Sequence, residues 1–326
     1  MRAAIFTGAG GPEVITIGTV PTPVPGTNQI RVRVRAAGLN RADLMQRRGH
    51  YPPPDGWPAD IPGLEYAGEV DALGDGVRRW KVGDRVMGLV GGGAQAEAVV
   101  VHEDEAISIP EGLSFAEAAA IPEAFLTAYD ALVTRGRVAP GERVLIHAVG
   151  SGVGTAATQI AKHLGATVIG TSRSADKLAR ALVYGLDVGI DTSKTSFRDA
   201  LTDPVNVILD AIGGPAFGDN LAVLAPQGRL VLLGFLAGSR TTADLGPMVR
   251  KRLEVIGTSM RMRTLEERKV LIADFAERML PLFDRRIEQS APLRPVLQST
   301  YPMTRLAEAH RVMESNETFG KIVAEW

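Results

Sequence analysis

One stretch of the chain has the pattern of a strand, a glycine turn, a helix and a second strand. Arg143–Val149 is a short apolar run rich in β-branched residues, which is typical of a buried strand. The segment GSGVG at 150–154 interrupts it, and apolar residues then recur at helical spacing over Ala156–Leu164. A second apolar run follows at Ala166–Thr171. The pattern predicts a βαβ unit whose helix N-terminus can bind phosphate.

The alternation of strands and helices continues to about residue 258. Six strands joined by helical crossovers would form a doubly wound parallel sheet, which binds its ligand at the carboxyl ends of the strands. The further strands are predicted at Val188–Asp191, Val205–Ala211, Arg229–Leu233 and Glu254–Thr258. Helices are predicted at Ala175–Val183, Phe197–Leu201 and Phe217–Leu224, with a turn at Pro226–Gly228.

Residues 1 to about 120 have a different pattern, in which short strands are broken by glycine and proline. Several short strands at close spacing predict a compact antiparallel barrel or sandwich. The predicted strands are Ile30–Ala36, Gly68–Leu73, Gly83–Leu89 and Gln95–Val101. Helical stretches at Ala116–Ala120 and Phe125–Val133, interrupted by Pro122, would link the two domains.

The segment after the second domain is expected to return to the first. It contains a long helical pattern at Leu265–Asp284, then a strand, a helix at Met303–Glu314 and a strand at Lys321–Glu325. The predicted fold class is therefore α/β, with an antiparallel β-barrel domain and a doubly wound Rossmann domain. We place the first domain at residues 1–121 plus 262–326 and the second at residues 122–261.

Composition excludes several classes of function. A chain of 326 residues is long enough for about two domains. With 36 Lys and Arg against 37 Asp and Glu, the net charge of −1 gives no field that would favour nucleic acid or an acidic membrane surface. The chain has no cysteine, so it has no disulfide and no cysteine-ligated zinc. No signal-peptide pattern or membrane-length apolar run is present, so we expect a cytoplasmic protein.

The end of the second strand of the βαβ unit indicates the cofactor. A site specific for NAD usually has an acidic residue there, which binds the ribose 2′-hydroxyl. This chain has Thr171-Ser172-Arg173-Ser174 and then Lys177, and such hydroxyls and cations can bind a 2′-phosphate. The glycines do not spell the full dinucleotide motif, so a plain turn of a parallel sheet is the alternative. The predicted cofactor is NADP(H).

Short motifs are distributed along nearly the whole chain. They are AGLNRADLMQRRGHY at 37–51, PGLE at 62–65, VGDRV at 82–86, AIPE at 120–123, LTAY at 126–129, IHA at 146–148, SGVGTAA at 151–157 and GKIV at 320–323. Together they resemble one family, the zinc-free quinone oxidoreductases of the zeta-crystallin type in the medium-chain dehydrogenase/reductase superfamily. Within it, the chain is most similar to the branch of the tumour-suppressor-inducible quinone oxidoreductases of animals and their bacterial relatives. The resemblance implies a GroES-like first domain, a cofactor-binding second domain and a homodimer joined by the edge strand around Arg229–Thr258.

The departures from the zinc-dependent alcohol dehydrogenases affect the chemistry. Those enzymes have a Cys near the position of Asn40, a His directly before the Glu of the Gly63-Leu64-Glu65 site, and a third ligand near Glu123. Here the first is Asn and the second is Leu, which cannot replace a thiolate and an imidazole as metal ligands. We therefore expect no metal and a substrate that is already a good electron acceptor, such as a quinone.

The resemblance also assigns residues to the cofactor. Asn40 and Thr127 would contact its nicotinamide end, and Lys321 would approach it from the returning segment. The pyrophosphate would be bound by Ser151, Gly152 and Val153. The 2′-phosphate would be surrounded by Ser172, Arg173, Ser174 and Lys177, and the nicotinamide would lie against Gly234, Phe235 and Leu236.

Asn40 and Tyr51 are the candidate catalytic residues. Tyr51 would orient the reduced substrate rather than protonate it, since a phenol with a pKa of about 10 is a weak acid at neutral pH; alternatively it only covers the core. Asn40 alternatively stabilises a turn, and Asp43 would fix its loop. Glu65 is interpreted as a buried partner of a cation, and His147 as an uncharged residue packed beside the cofactor loop.

Three functions remain open from the sequence. The first is NADPH-dependent reduction of small or fused-ring quinones. The second is reduction of the double bond of an alkenal or enoyl thioester, which relatives with this fold perform. The third is an NADPH-binding sensor or nucleic-acid-binding protein with little catalysis, against which the near-neutral charge argues.

Overall fold

The computed structural model describes residues 1–284 and 292–326. They divide into two compact units: unit 1 comprises Met1–Leu126 with Met260–Trp326, and unit 2 comprises Thr127–Ser259. The division after Leu126 lies inside the helix Pro122–Tyr129, whereas the predicted division preceded that helix. Within the described ranges, none of the helices has the length and apolar character needed to span a bilayer.

The strands and helices are numbered in chain order. The strands are β1 (Arg2–Phe6), β2 (Ile15–Thr19), β3 (Gln29–Gly38), β4 (Glu65–Leu73), β5 (Arg85–Leu89), β6 (Ala98–His102), β7 (Ala106–Ser108), β8 (Arg143–Ile146), β9 (Thr167–Ser172), β10 (Val188–Asp191), β11 (Val205–Asp210), β12 (Leu224–Leu232), β13 (Glu254–Gly257), β14 (Leu297–Pro302) and β15 (Lys321–Glu325). The α-helices are α1 (Arg41–Arg47), α2 (Phe115–Ala119), α3 (Pro122–Tyr129), α4 (Gly152–His163), α5 (Ala175–Ala181), α6 (Phe197–Ala200), α7 (Gly214–Val223), α8 (Gly246–Lys251), α9 (Leu265–Arg278) and α10 (Leu306–Glu314).

Unit 1 is built on a sheet with the strand order β14-β15-β3-β4-β5-β7, in which β6 also pairs with β3. The returning segment therefore rejoins the first domain, as predicted, because β15 pairs with β3. Within this otherwise antiparallel sheet, β14 and β15 are parallel. Helix α10 connects these two strands, and a helical crossover is what a parallel pair requires.

Strand β3 lies at the centre of the unit 1 sheet and changes character along its length. Ile30, Val32 and Val34 alternate with more exposed residues, as on a strand with one buried face. The last three residues, from Ala36 to Gly38, are all buried. Gly38 pairs with Glu65 at the start of β4 and with Val323 of β15. This register places a carboxylate at the buried end of the sheet.

Unit 2 is a parallel six-stranded sheet with the order β10-β9-β8-β11-β12-β13, so all six predicted strands are present. The predicted turn at Pro226–Gly228 is wrong in its extent. Val205 of β11 pairs with Leu224 of β12, whereas Val207, two residues further along β11, pairs with Arg229. The residues between Leu224 and Arg229 therefore form a bulge. Gln227 takes a left-handed φ of 61° in this bulge.

Several elements differ from the sequence prediction. Pro122 occupies the first position of α3 rather than interrupting a helix, which suits proline because that position needs no N–H donor. Helix α3 continues into a wider helical turn at Asp130–Arg135. Helix α1 was not predicted, although Asn40 and Asp43 at its start form a recognisable cap. Strands β1 and β2 were also missed.

Candidate functional site

In unit 1, the polar residues of the site are arranged around the buried carboxylate of Glu65. The side chain is fully buried, and each of its oxygens accepts hydrogen bonds. Oε1 accepts from the Asn40 amide at 2.9 Å and lies 2.5 Å from the Lys321 ammonium, while Oε2 accepts from the Glu123 backbone N–H at 2.8 Å. The interpretation of Glu65 as the buried partner of a cation is confirmed. A buried charge needs such pairing, because its desolvation would otherwise be prohibitive.

Lys321 has an acceptor for each of its three N–H groups. Besides Glu65, its Nζ donates to the carbonyl of Leu39 at 2.7 Å and to Oδ1 of Asn40 at 2.6 Å. The side chain amide of Asn40 is therefore held at both ends, by Lys321 on its oxygen and by Glu65 on its nitrogen. In this state Lys321 offers no further donor, so its predicted contact with the cofactor stays a prediction that would require it to give up one of these acceptors.

Gly38 provides the space that the Glu65 carboxylate occupies. A Cβ at Gly38 would lie 2.3 Å from Oε1 of Glu65 and 2.5 Å from the carbonyl oxygen of Ala119. Both distances are far below van der Waals contact, and the second involves rigid backbone. Only glycine is therefore compatible with the cluster at this position.

Two further carboxyl groups beside Glu65 have raised pKa values. Asp43 is buried and accepts the N–H of Asn40 at 2.8 Å, as expected for the residue that fixes this loop. Burial raises the pKa of Asp43 to about 6, and the hydrogen bond from Asn40 opposes the rise. The pKa of Glu123 is raised to about 7, first by burial and then by the neighbouring Glu65 carboxylate. The cluster can therefore hold a proton near neutral pH.

Tyr51 contacts the side chain of Arg261, a residue that the sequence pattern did not indicate as part of the site. The guanidinium of Arg261 stacks on the Tyr51 ring, 4.5 Å from its centroid, and donates to the Tyr51 carbonyl at 3.2 Å. It also donates to the Gly91 carbonyl at 2.9 Å and to the side chain oxygen of Gln46 at 3.1 Å. Arg261 thus fixes the loop that carries Tyr51, but the catalytic role of Tyr51 stays a prediction.

In unit 2, the loop between β8 and α4 is closely packed. Ser151 caps α4 by accepting the N–H of Gly154 at 3.0 Å, and Gly152 and Val153 form the first turn. A Cβ at Gly154 would lie 2.5 Å from the carbonyl oxygen of Ala148, so glycine is required for the helix to approach the loop. Ala148 itself has a left-handed φ of 52°, a conformation that costs an L-residue about 1–2 kcal/mol. Strain of this kind is concentrated at binding sites.

The fit of a dinucleotide to unit 2 is supported by an unpartnered polar atom. The hydroxyl oxygen of Thr127 is buried and has no hydrogen-bond partner among the described residues. Such an atom costs free energy unless a ligand or water satisfies it. The capped N-terminus of α4, with backbone N–H groups at Gly152 and Val153, suits a pyrophosphate. These residues fit a nicotinamide dinucleotide.

A buried polar chain connects the ends of three strands of unit 2. His147, which follows β8, contacts Thr171 of β9 through Nδ1 at 2.9 Å and Asn220 through Nε2 at 2.8 Å. Asn220 donates to Asp210 at the end of β11 at 2.9 Å, so its amide oxygen is left to accept from His147. Burial lowers the pKa of His147, partly opposed by Asp210. The burial and the hydrogen bonds of His147 agree with its interpretation as a packed, uncharged residue, and its place beside a cofactor stays a prediction.

The residues predicted to bind the 2′-phosphate are adjacent at the end of β9. Ser172 and Ser174 are half-buried and Arg173 is exposed, and the Ser174 hydroxyl caps α5 by accepting the N–H of Lys177 at 3.4 Å. The neighbouring strand brings Asp191 opposite Ser172. Its carboxylate is bound by the N–H and hydroxyl of Ser193 at 3.0 and 2.6 Å. Cofactor binding by this group stays a prediction.

The last predicted cofactor residues follow β12. Phe235 and Leu236 are 53% and 57% exposed. The backbone of Leu236 donates to the carbonyl of Ala211 at 3.0 Å, which joins this loop to the one after β11. Gly234 begins the same loop, and contact of these three residues with a cofactor stays a prediction.

The cluster around Glu65 has no set of metal ligands. Among the described residues, no group of three or more His, Cys, Asp or Glu side chains is placed to hold a metal ion. The amide of Asn40 is engaged at both ends, and Leu64 has no donor atom. The residues themselves therefore do not fit a zinc ion at this place.

Comparisons with known proteins agree with the two units. Residues 26–111 match the family described as "Alcohol dehydrogenase GroES-like domain", and residues 152–282 match the family described as "Zinc-binding dehydrogenase". Unit 1 is accordingly GroES-like, and unit 2 has the parallel sheet of a Rossmann domain.

Individual relatives cover almost the whole chain. A quinone oxidoreductase of Pseudomonas aeruginosa is 33% identical over 98% of this chain and 97% of its own length. The human synaptic vesicle membrane protein VAT-1 homolog is 31% identical over 99% of this chain and 86% of its own length.

Solved structures give the same result. A mycobacterial protein in complex with NADPH has a TM-score of 0.85 at 28% identity and is covered, like this chain, over its full length. The CurK enoyl reductase has a TM-score of 0.86 at 26% identity, covering 99% of this chain and 98% of its own. The chain therefore belongs to the quinone oxidoreductases of the zeta-crystallin type within the medium-chain dehydrogenase/reductase superfamily.

Proposed function

We propose that this oxidoreductase reduces small or fused-ring quinones with NADPH. The observation that carries the proposal is the state of Asn40, whose amide is bound by Lys321 on one side and Glu65 on the other. An amide held in this way is a fixed polar group of the site, and it does not polarise the hydroxyl of an alcohol substrate as a metal ion would. Such a site suits an acceptor that takes a hydride without help from a Lewis acid, and quinones are of this class.

The preference for NADPH is supported by the residues after β9. Arg173 is exposed, Ser172 and Ser174 are half-buried, and no acidic side chain occurs in Thr171–Ser174. Cations and hydroxyls of this kind bind a phosphate, whereas an acidic residue would repel it. Ser151, Gly152 and Val153 would hold the pyrophosphate, and the unpartnered hydroxyl of Thr127 would bind the nicotinamide end. When bound, NADPH would supply the hydride.

The second candidate function is reduction of the double bond of an alkenal or enoyl thioester. Similarity to an enoyl reductase structure favours it, at a TM-score of 0.86. Both reactions leave an anion that needs a proton, so the polar cluster of unit 1 is compatible with either. The two differ in the acceptor that the enzyme prefers.

A single assay separates the candidates. NADPH oxidation is followed by its absorbance with 1,4-benzoquinone, 1,4-naphthoquinone, an alkenal and an enoyl thioester, each compared with the reaction without enzyme. We expect a higher kcat/KM for the quinones. A preference for the α,β-unsaturated carbonyls would select the second function, and tight NADPH binding without turnover of any acceptor would contradict both.

We also propose that the protein is a homodimer joined through β13. This strand is at the edge of the unit 2 sheet, and an exposed edge can pair with a second copy. Light scattering of the purified protein tests this, and a monomer at micromolar concentration would contradict it.

A further inference from the structure

Glu123 is a carboxyl group for which the family motifs suggested no function. It is the second residue of α3, its backbone N–H is bound to Glu65, and its side chain is half-buried. No hydrogen bond to its carboxyl group is found among the described residues. Glu65 differs, since both of its oxygens accept hydrogen bonds from the chain. Asp43 accepts the Asn40 N–H through Oδ2, while its Oδ1 is buried without a partner among the described residues.

The surroundings of Glu123 favour its protonated form. Facing it are the carboxylates of Glu65 on β4 and Asp43 on α1, the ammonium of Lys321 on β15 and the guanidinium of Arg261. Three carboxyl groups thus share the space with two cations, and one proton would balance the charge. Lys321 and Arg261 are already bound to other acceptors, so the proton resides on a carboxyl group. Burial raises the pKa of both Asp43 and Glu123, but Asp43 accepts the Asn40 N–H, which stabilises its charged form, whereas the carboxyl group of Glu123 has no such donor in the described ranges.

The position of Glu123 on α3 also relates it to the proposed cofactor. Glu123 and Thr127 are four residues apart, so they lie on the same face of the helix, one turn from each other. Thr127 has the unpartnered hydroxyl that we assign to the nicotinamide end. A substrate that receives a hydride there would be within one helical turn of the Glu123 carboxyl.

We infer that Glu123 is the catalytic acid that protonates the reduced substrate, an inference that rests on the proposed function. A quinone that has accepted a hydride is a hydroquinone monoanion. The O–H bond of the Glu123 carboxyl breaks as the O–H bond of the hydroquinone forms, and the resulting carboxylate regains a proton from water. Overall, the quinone takes up one hydride and one proton. Glu65, held by Lys321 and Asn40, acts as the positioning residue that fixes the helix start and keeps Glu123 protonated.

The first test compares Glu123→Gln with wild type and with Glu266→Gln, a control on an exposed glutamate of α9. With 1,4-naphthoquinone we expect wild-type kcat to fall about tenfold per pH unit above pH 7, where Glu123 loses its proton. In Glu123→Gln, kcat at pH 6.5 should fall about 100-fold and lose this pH dependence. Glu266→Gln should behave as wild type. A chlorinated benzoquinone, whose hydroquinone anion is a weaker base, should be affected less.

The second test does not depend on turnover. Infrared spectroscopy of the wild-type protein should show the carbonyl band of a protonated carboxyl group that disappears between about pH 6 and pH 8, and this band should be missing in Glu123→Gln. The affinity for NADPH, measured by fluorescence, should be the same in both proteins. If Glu123→Gln does not fold, the wild-type pH profile and infrared band decide the matter.

The outcomes separate this inference from the proposed function. Quinone turnover by wild type with a flat pH profile, or an unchanged rate and profile in Glu123→Gln, would overturn the role of Glu123 and leave the proposed function intact. An infrared band that persists in Glu123→Gln would also overturn it. Absence of turnover by wild type with every quinone would overturn the proposed function itself, and with it this assignment.

Discussion

Burial of His310 predicts that the contribution of this residue to the stability of unit 1 falls in mild acid. Its ring is fully buried against Phe6, with centroids 6.1 Å apart, and Nδ1 lies 3.0 Å from the Arg47 guanidinium. Since an arginine only donates, Nδ1 must accept and the ring must be neutral. Burial first, and then the charge of Arg47, lowers the pKa of His310 from 6.5 to about 3. The unfolded chain therefore binds a proton that the folded chain does not, at every pH between these values.

The size of the effect follows from the two pKa values. Below pH 6.5 the contribution of His310 to the free energy of unfolding falls by about 1.4 kcal/mol per pH unit, until the folded pKa is reached. At pH 5, which is 1.5 units below 6.5, the loss is about 2 kcal/mol. Asp43 and Glu123 act in the opposite direction. Their raised pKa values stabilise the folded state in acid, and this stabilisation is lost as the pH rises through about 6 and 7.

A comparison of variants isolates the contribution of His310. Trp57, Trp80 and Trp326 all belong to unit 1, so urea unfolding followed by tryptophan fluorescence reports on this unit. In His310→Asn the amide oxygen replaces Nδ1 as acceptor and cannot titrate. The difference in unfolding free energy between wild type and His310→Asn should change by about 2 kcal/mol from pH 7.5 to pH 5, in favour of the variant in acid. The same substitution at the exposed His50 should cause no such change. An equal difference at both pH values would refute the argument.

Three further predictions concern the two sites. Glu65→Gln or Lys321→Met alone should cost unit 1 about 3–5 kcal/mol in urea unfolding, because one buried charge loses its partner, and the double variant should recover part of this; additive losses would argue against pairing. Gly154→Ala should weaken NADPH binding measured by fluorescence, since its Cβ would collide with the preceding loop, whereas Gly257→Ala, with nothing within 4 Å, should not. Arg173→Asp should weaken NADPH binding far more than NADH binding, and an equal loss would mean that the phosphate is misplaced.

The parallel sheet of unit 2 could be predicted because its order is largely local. Each strand is a short apolar run followed by a helix of recognisable period, and right-handed crossovers leave few arrangements. The errors include the turn at Pro226–Gly228, where a bulge and a turn use the same residues, and the short helix α8, which was not predicted. The sequence alone does not show that β12 resumes its pairing after Gln227.

The sheet of unit 1 was less predictable because its pairings are distant in sequence. Strand β15 pairs with β3, which is far from it in the sequence. The sequence also does not show that β14 and β15, which α10 connects, pair with each other in parallel. Helix α1 was missed because it is only seven residues long, and its cap was interpreted as a loop motif.

Some features of the site could be inferred and others could not. A lone glutamate in a buried motif predicted a cation partner, and Lys321 is that partner. The stacking of Arg261 on Tyr51 joins residues 210 apart, and no local pattern indicates such a contact. The raised pKa of Glu123 depends first on its burial and then on the Glu65 carboxylate, so it too is visible only in the folded chain.

The order of the units along the chain has a consequence for biosynthesis. Unit 2 is one continuous stretch, whereas unit 1 is interrupted by it and needs β15 to complete its sheet. A nascent chain can therefore finish unit 2 while Glu65 still lacks its ammonium partner, which arrives 256 residues later (321 − 65). Until then, the half-built sheet has an open edge and an uncompensated carboxylate, the state in which a translating chain is most prone to aggregate. Chaperone dependence should accordingly be confined to the interval before β15 emerges from the ribosome.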